Sequence, residues 1–388
     1  MIHRKGTTVF SPGLVRDKPG ESVLKRFPLR ALDKPLLFSA LALAVFGTLM
    51  IYSATRADVP STYYLKRQLI FIMLALAVMV LGAGFDYRKI MPYSRIIYGV
   101  TLVLLVAVFL FPAAKGAQRW ISLGFFDFQP SELAKLAVIM TLATFMADRR
   151  MEIGSNIEFL KALGIAALPM ALIFIEPDLG ITLSIFVILV GMLLVGGARA
   201  RQIVALGAGT LAVVAMAIQL GFLKAYQLNR LLVFIKPDMD PLDAGYNLLQ
   251  SKIAIGSGQL LGKGLFHGTQ TNLKFIPAHH TDFIFSVVGE ELGFLGAILL
   301  LALFAIMIWR AFKIAITSRD SFGTMLAVGI LVMFIFQIVV NVGMTMGIMP
   351  VTGITLPFMS YGGSSLVVSF FCVGLLLNIG MHRFTAGP

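Results

Sequence analysis

Residues 35–54 read PLLFSALALAVFGTLMIYSA, an apolar stretch with no charged side chain. At about 1.5 Å of rise per residue, a helix of this length matches the ~30 Å hydrocarbon core of a bilayer. The stretch follows a polar, basic segment and is long enough to span and stay, so it reads as a signal anchor rather than a cleaved signal. Comparable runs recur near 68–85, 96–113, 133–147, 160–176, 179–197, 202–222, 283–309, 323–349 and 354–380. The expected fold is all-α: a polytopic integral membrane protein of ten transmembrane helices, with broken or re-entrant segments and one large extracytoplasmic loop, 223–281, between helices 7 and 8. Composition agrees, since 58% of the residues are apolar and 13% charged, whereas soluble domains have about 25% charged residues.

The formal net charge of +13 would point to nucleic acid in a soluble protein. In a membrane chain, Lys and Arg first report orientation, because cytoplasmic loops carry them in excess. With the N-terminus inside, twenty Lys and Arg fall on the cytoplasmic side and eleven on the other, six of them within 223–281. Topology thus accounts for most of the basic charge, and no nucleic-acid partner is expected. Both termini are placed in the cytoplasm, with the chain in the inner membrane. The division that follows is a cytoplasmic tail over 1–34, a membrane domain over 35–384 and a C-terminal tail over 385–388. Pro12, Gly13, Pro19 and Gly20 among scattered charges make the first tail read as mobile. A single cysteine, Cys372, allows neither a disulfide framework nor a thiolate metal cluster.

An ionisable group at membrane depth costs about 2.5–3.5 kcal/mol on insertion scales, so polar residues beside apolar runs mark sites. They gather toward the outer side. Arg119 and Trp120 precede Gln129-Pro130-Ser131-Glu132-Leu133-Ala134-Lys135, which leads into the short fourth run. Ser131 is a candidate helix cap there, and Glu132 and Lys135 share a face, as either a neutralised ion pair or a polar cavity wall. Glu176-Pro177-Asp178 breaks the chain between runs five and six and puts two carboxylates at its tip. In the long loop, Gly256-Ser257-Gly258 and Gly262-Lys263-Gly264 suggest either a phosphate cradle served by Arg230, Lys252 and Lys263, or a flexible turn on the bilayer. No strand and helix frame them as a P-loop requires. His279 and His280 are adjacent and cannot share a helix face as a zinc pair does. Asp282, Ser286, Gly289, Gly293 and Gly296 would fall on one face of a helix starting at Asp282, a residue that serves either as a cap or as a functional carboxylate. Gln337 and Asn341, then the Met349–Ser365 stretch with two prolines and Gly362-Gly363, predict a broken approach to helix ten that lines a cavity close to Asp282.

In combination, several of these motifs resemble the shape, elongation, division and sporulation (SEDS) family of membrane-embedded peptidoglycan glycosyltransferases. They are Gln118-Arg119-Trp120, the 129–135 stretch, Pro177-Asp178-Leu179-Gly180, the 280–285 stretch with Glu290-Glu291-Leu292-Gly293, and Ser360-Tyr361-Gly362-Gly363-Ser364-Ser365. The resemblance runs from about residue 33 to 384. The 250–258 and 349–353 stretches resemble elongation-type RodA members more than division-type FtsW members. Two positions depart from the family pattern. Ala278 stands where a glutamate is common, leaving Asp282 as the carboxylate of that stretch, and Glu176 stands where a glutamine is common.

The resemblance implies that lipid II, a disaccharide-pentapeptide on undecaprenyl pyrophosphate, is polymerised into glycan strands at the outer face of the membrane during cell elongation. The acceptor 4-hydroxyl would attack the donor's anomeric carbon with inversion, Asp282 acting as general base and undecaprenyl pyrophosphate leaving. Arg119, Arg230, Lys252 and Lys263 are candidates to balance the leaving charge, alone or with a divalent cation, Mg2+ or Mn2+. Trp120, Glu132, Lys135, Asp178, Ser360, Tyr361 and Ser364 would line the substrate cavity. The implied partners are a class B penicillin-binding protein, which is a transpeptidase, and other membrane proteins of an elongation complex. The outer loop and the glycine-bearing faces of helices eight and nine are candidate contacts. Two rival readings use the same features, a lipid II flippase and a non-catalytic scaffold for a transpeptidase. A transporter would bury carboxylates mid-span in paired inverted repeats, and no such repeat is visible here.

Overall fold

The computed structural model describes residues 32–56, 62–112, 118–122, 124, 126–149, 153–221, 233–234, 244–273, 275 and 280–383. In chain order the helices are α1 (Lys34–Thr55), α2 (Tyr63–Gly84), α3 (Ser94–Ala107), α4 (Pro130–Asp148), α5 (Asn156–Ile175), α6 (Leu179–Val195), α7 (Ala200–Gln219), α8 (Ala244–Ser257), α9 (Thr269–Asn272), α10 (Ile284–Thr317), α11 (Ser321–Met346) and α12 (Gly363–His382). Nine of the described helices are long and apolar enough to cross a bilayer, the third when taken from Tyr87 to Leu110; α6, with 17 residues, is a further, shorter apolar helix. Strands β1 (Ile121–Ser122) and β2 (Asp127–Phe128) pair as a small antiparallel hairpin just before α4. The chain is an all-α polytopic membrane protein.

Helices α4, α11 and α12 are buried along most of their length and form the centre, whereas α7 turns apolar side chains outward nearly all round, as a lipid-facing helix does. Lipid supplies no hydrophobic push between helices, so small residues that allow close approach hold the bundle. Gly374 of α12 lies against the Met79 backbone of α2, and Gly329 of α11 against Ile139 of α4 and Met192 of α6. At the end where α1 begins, Arg310 of α10 grips Asp33 at 2.6 Å, Arg383 donates to Thr317 at 3.0 Å, and Asn378 of α12 ties the Tyr87 N–H to the Ala83 carbonyl. The start of α1 and the end of α12 therefore share one end of the bundle.

Two interruptions within the membrane helices are repaired by groups from outside the helix, as a medium without water demands. Pro169 in α5 has no N–H for the Ile165 carbonyl, and the Tyr98 hydroxyl of α3 donates to it at 2.7 Å instead. In α10 the backbone leaves helical geometry at Gly293, with φ 64° and ψ −157°. The carbonyls of Glu290 and Glu291, which lose their helical partners at the break, accept from the N–H groups of Lys263 and Gly264 at 3.0 and 2.9 Å. On the other side of the break, the N–H groups of Phe294 and Leu295 donate to the carbonyls of Gln259 and Leu260 at 2.9 and 3.1 Å. A loop from the long segment thus splices the two halves of α10.

Three expectations are corrected by this geometry. The helix after Asp282 begins at Ile284, and its break at Gly293 removes the single continuous face from Asp282 to Gly296. The Gly258 and Gly262 region is neither an open cradle nor a loose turn, because a side chain at Gly258 would sit 1.9 Å from the Gly289 carbonyl oxygen and one at Gly262 2.1 Å from that of Glu291. Ser131 is not the cap of α4. Gln129 holds that position, Pro130 starts the helix, and the buried Ser131 hydroxyl has no partner among the described residues.

Candidate active site

Four segments meet at the end of the bundle opposite Asp33, and side-chain hydrogen bonds knit them together. They are the hairpin region 118–129, the turn 176–180 between α5 and α6, the turn 280–283 before α10, and the stretch 350–365 before α12. Asp282 is half-buried in the third of these. Its carbonyl accepts from Asn341 Nδ2 of α11 at 2.8 Å, and the same amide group donates to the Ile354 carbonyl at 2.7 Å. Ser360 donates to the Thr281 carbonyl at 2.6 Å while accepting from the Leu356 N–H at 2.8 Å, and the Tyr361 N–H donates to the His280 carbonyl at 3.0 Å. Asp282 is thereby carried on a turn whose backbone is fixed from α11 on one side and from the approach to α12 on the other. Such anchoring is what a reacting carboxylate needs to be held in place.

Ser364, at the start of α12, accepts from the Gln129 N–H at 3.0 Å and donates to the Asp127 carbonyl at 3.1 Å, which joins the fourth segment to the first. Arg119 reaches the second. Its guanidinium donates to the Glu176 carbonyl at 3.1 Å and to the Pro177 carbonyl, and lies 3.8 Å from an Asp178 oxygen. Asp178 caps α6 through the Ile181 N–H at 3.1 Å and receives Gln129 Nε2 at 3.4 Å. Gly180 closes the ring, packed against the Thr352 carbonyl and the Ile354 side chain. Trp120 is half-buried beside Arg119, at the start of β1.

Glu176 is buried, and among the described residues neither of its carboxyl oxygens has a hydrogen-bond partner. Burial, reinforced by the Asp178 charge and only partly offset by Arg119, pushes this carboxyl up to about 8. It is therefore mostly protonated at neutral pH, which lets it stand where a neutral glutamine is common. Burial likewise raises the Tyr361 phenol above its ordinary value, so it keeps its proton and remains a hydroxyl.

The remaining expected residues are dispersed. Glu132 and Lys135 form an ion pair at 3.0 Å, almost wholly buried between α4 and the Cys372 region of α12. Lys263 is held at 2.8 Å by Glu290, which also accepts from Thr269 Oγ1 at 3.1 Å and the Gln270 N–H at 2.9 Å. Lys252 is exposed and lies against Gly347 at the end of α11. Arg230 lies outside the described residues. Among the described residues, no group of three or more His, Cys, Asp or Glu side chains converges to hold a metal ion. A Mg2+ or Mn2+ ion would take most of its ligands from substrate phosphates and water, as Mg2+ usually does. Asn341 was visible in the sequence as a polar residue in an apolar run, but its double donation to the Asp282 and Ile354 carbonyls joins residues far apart in the chain.

Comparison with known proteins follows the same lines. The family profile described as "Cell cycle protein", designated for FtsW, RodA and SpoVE, matches residues 34–385. The peptidoglycan glycosyltransferase MrdB of Escherichia coli is 41% identical over 361 residues, covering 91% of this chain and 94% of the relative. A probable peptidoglycan glycosyltransferase FtsW of Trichlorobacter lovleyi is 39% identical over 369 residues, covering 92% and 96%. Among solved structures, one described as "Structural coordination of polymerization and crosslinking by a peptidoglycan synthase complex" superposes with a TM-score of 0.77 at 30% identity, covering 92% of this chain and 99% of that one. The crystal structure of Thermus thermophilus RodA gives 0.69 at 29% identity with the same coverage. Relatives of the division type and the elongation type stand at nearly equal identity. With the match spanning its whole helical bundle, the chain belongs to the FtsW, RodA and SpoVE family, the SEDS proteins.

Proposed function

We propose that this chain is a peptidoglycan glycosyltransferase that polymerises lipid II at the outer face of the cytoplasmic membrane, with Asp282 as the general base. The observation that carries the assignment of the base is the anchoring of the Asp282 turn by Asn341, Ser360 and the Tyr361 backbone, within a chain whose curated relatives are named peptidoglycan glycosyltransferases. In the reaction, the acceptor O4 gives its proton to the Asp282 carboxylate and bonds to the donor's anomeric carbon. The bond from that carbon to the diphosphate breaks, and its electron pair leaves with undecaprenyl pyrophosphate. Microscopic inversion follows from attack opposite the leaving group.

The solved peptidoglycan synthase complex, with a TM-score of 0.77, supports a class B penicillin-binding protein as the working partner. A flippase would draw on a broken helix that can open, whereas the break in α10 is closed by four backbone hydrogen bonds from the 259–264 loop. The test is polymerisation of labelled lipid II by the purified full chain with its transpeptidase partner. Asp282→Asn, folded and still binding lipid II, is expected to lose about 10²–10⁴ in rate, the usual worth of general base catalysis. An Asp282→Asn protein as active as the native chain removes the assignment of the base, and an inactive native complex removes the glycosyltransferase reading.

A further inference from the structure

A departing diphosphate must have its charge met by donors already in place. The expected cations are largely committed elsewhere: Lys263 to Glu290, Lys135 to Glu132, and Arg119 to the 176–178 turn. Arg67, on the first turns of α2, is in a different position. Among the described residues it forms no ion pair; its guanidinium lies 5.0 Å from the Tyr63 ring centre, and its charge acts on the Tyr361 hydroxyl.

Through Tyr361 this guanidinium is joined to the Asp282 turn, since the Tyr361 N–H donates to the His280 carbonyl at 3.0 Å. Ring contacts strengthen the link, with Tyr64 lying 4.7 Å from His280 and 5.1 Å from Tyr361, and Phe71 6.1 Å from Tyr361. Gln68 follows Tyr64 by four residues and precedes Phe71 by three, so it shares their face of α2. It is fully buried, and among the described residues neither its amide oxygen nor its amide nitrogen has a partner. A buried amide left this way is a place for a polar ligand. A planar guanidinium, a side-chain amide and a phenol hydroxyl together suit the clustered oxygens of a diphosphate.

We propose that Arg67, Gln68 and Tyr361 form an anion subsite beside the Asp282 turn that holds the diphosphate of the lipid-linked donor. The identity of that ligand rests on the glycosyltransferase reading above. The experiment measures equilibrium binding of undecaprenyl pyrophosphate and of undecaprenol, which lacks phosphate, to the purified full chain in nanodiscs. Arg67→Gln is expected to weaken the diphosphate lipid by about 10- to 100-fold, the worth of charge-assisted hydrogen bonds, and to leave undecaprenol unchanged. Equal affinity of native and Arg67→Gln protein for the diphosphate lipid overturns the subsite, as does an equal loss for both lipids. Should Arg67→Gln fail to fold, Arg67→Lys decides: it keeps the charge but loses the fork, so weaker diphosphate binding supports the subsite and unchanged binding overturns it. Turnover is scored separately. A native chain that binds the diphosphate lipid through Arg67 but makes no polymer upholds the subsite and overturns the glycosyltransferase reading, whereas one that makes polymer with Arg67 indifferent does the reverse.

Discussion

At the scale of single residues, Glu176 and Asn341 occupy opposite situations around one site. Asn341 satisfies two backbone carbonyls at once, whereas the buried Glu176 carboxyl has no hydrogen-bond partner among the described residues. The ordinary value of the Glu176 carboxyl is 4.5, and folding raises it to about 8. Below the lower value both states hold the proton and the group costs nothing. Between the two values the folded chain keeps a proton that the unfolded chain releases, so stability falls as pH rises, and above about 8 the full cost is present. Glu176→Gln removes this titration. Its melting temperature is expected to match the native chain near pH 5 and to exceed it by several degrees near pH 9; equal melting at both would show that the carboxyl is not held protonated. For Asn341, replacement by leucine keeps the volume and strips both donors, and each carbonyl left buried costs about 1–3 kcal/mol. A lower melting temperature together with loss of polymerisation is expected, because the same change frees the turn that carries Asp282.

At the scale of elements, the spliced helix α10 is the least local feature of the fold. Gly262, with φ 78°, and Gly293, with φ 64°, sit where a side chain would be strained by the backbone and would overlap its neighbours. Gly293→Ala and Gly262→Ala are each expected to cost several kcal/mol, at the large end of single substitutions. Gly207→Ala in lipid-facing α7, where nothing lies within 4 Å, should be neutral or slightly stabilising. Thermal melts of the three variants in one detergent check the contrast, and a Gly293→Ala chain as stable as Gly207→Ala would mean that α10 runs straight. The membrane helices were legible in the sequence because a spanning run announces itself by length and hydropathy alone. The break was not. Gly262-Lys263-Gly264 and Glu290-Glu291-Leu292-Gly293 are each visible as motifs, but hydrogen bonds between two distant segments leave no mark in the periodicity of either. The same limit explains the Ser131 expectation, since a serine beside a proline signals a helix start without saying which residue faces the free N–H groups.

At the scale of the whole molecule, motifs scattered between residues 118 and 365 converge on one end of the bundle, which a family resemblance and a polarity count could both anticipate. What they could not anticipate is how the cations are shared out. A sequence shows that Lys263 is basic but not that Glu290 has claimed it, whereas Arg67 rests on the Tyr63 ring. The convergence makes orientation the property on which the proposed chemistry depends, because a polymerase of lipid II must meet its substrate where the sugars are exposed. The excess of Lys and Arg on the opposite side predicts that the site end faces outward. The native chain offers a silent background for testing this, as its single cysteine, Cys372, is fully buried in α12 and should resist a charged maleimide. Ser122→Cys places a thiol on the hairpin at the site end, and Arg95→Cys one at the start of α3, at the opposite end; both positions are exposed. In cells whose inner membrane is intact, an impermeant maleimide given access to that membrane's outer face is expected to label Ser122→Cys and spare Arg95→Cys, and both should label after lysis. The reverse pattern would put the Asp282 turn in the cytoplasm, where a polymerase of exported lipid-linked sugars has no substrate, and would overturn the glycosyltransferase reading in favour of a flippase or a scaffold.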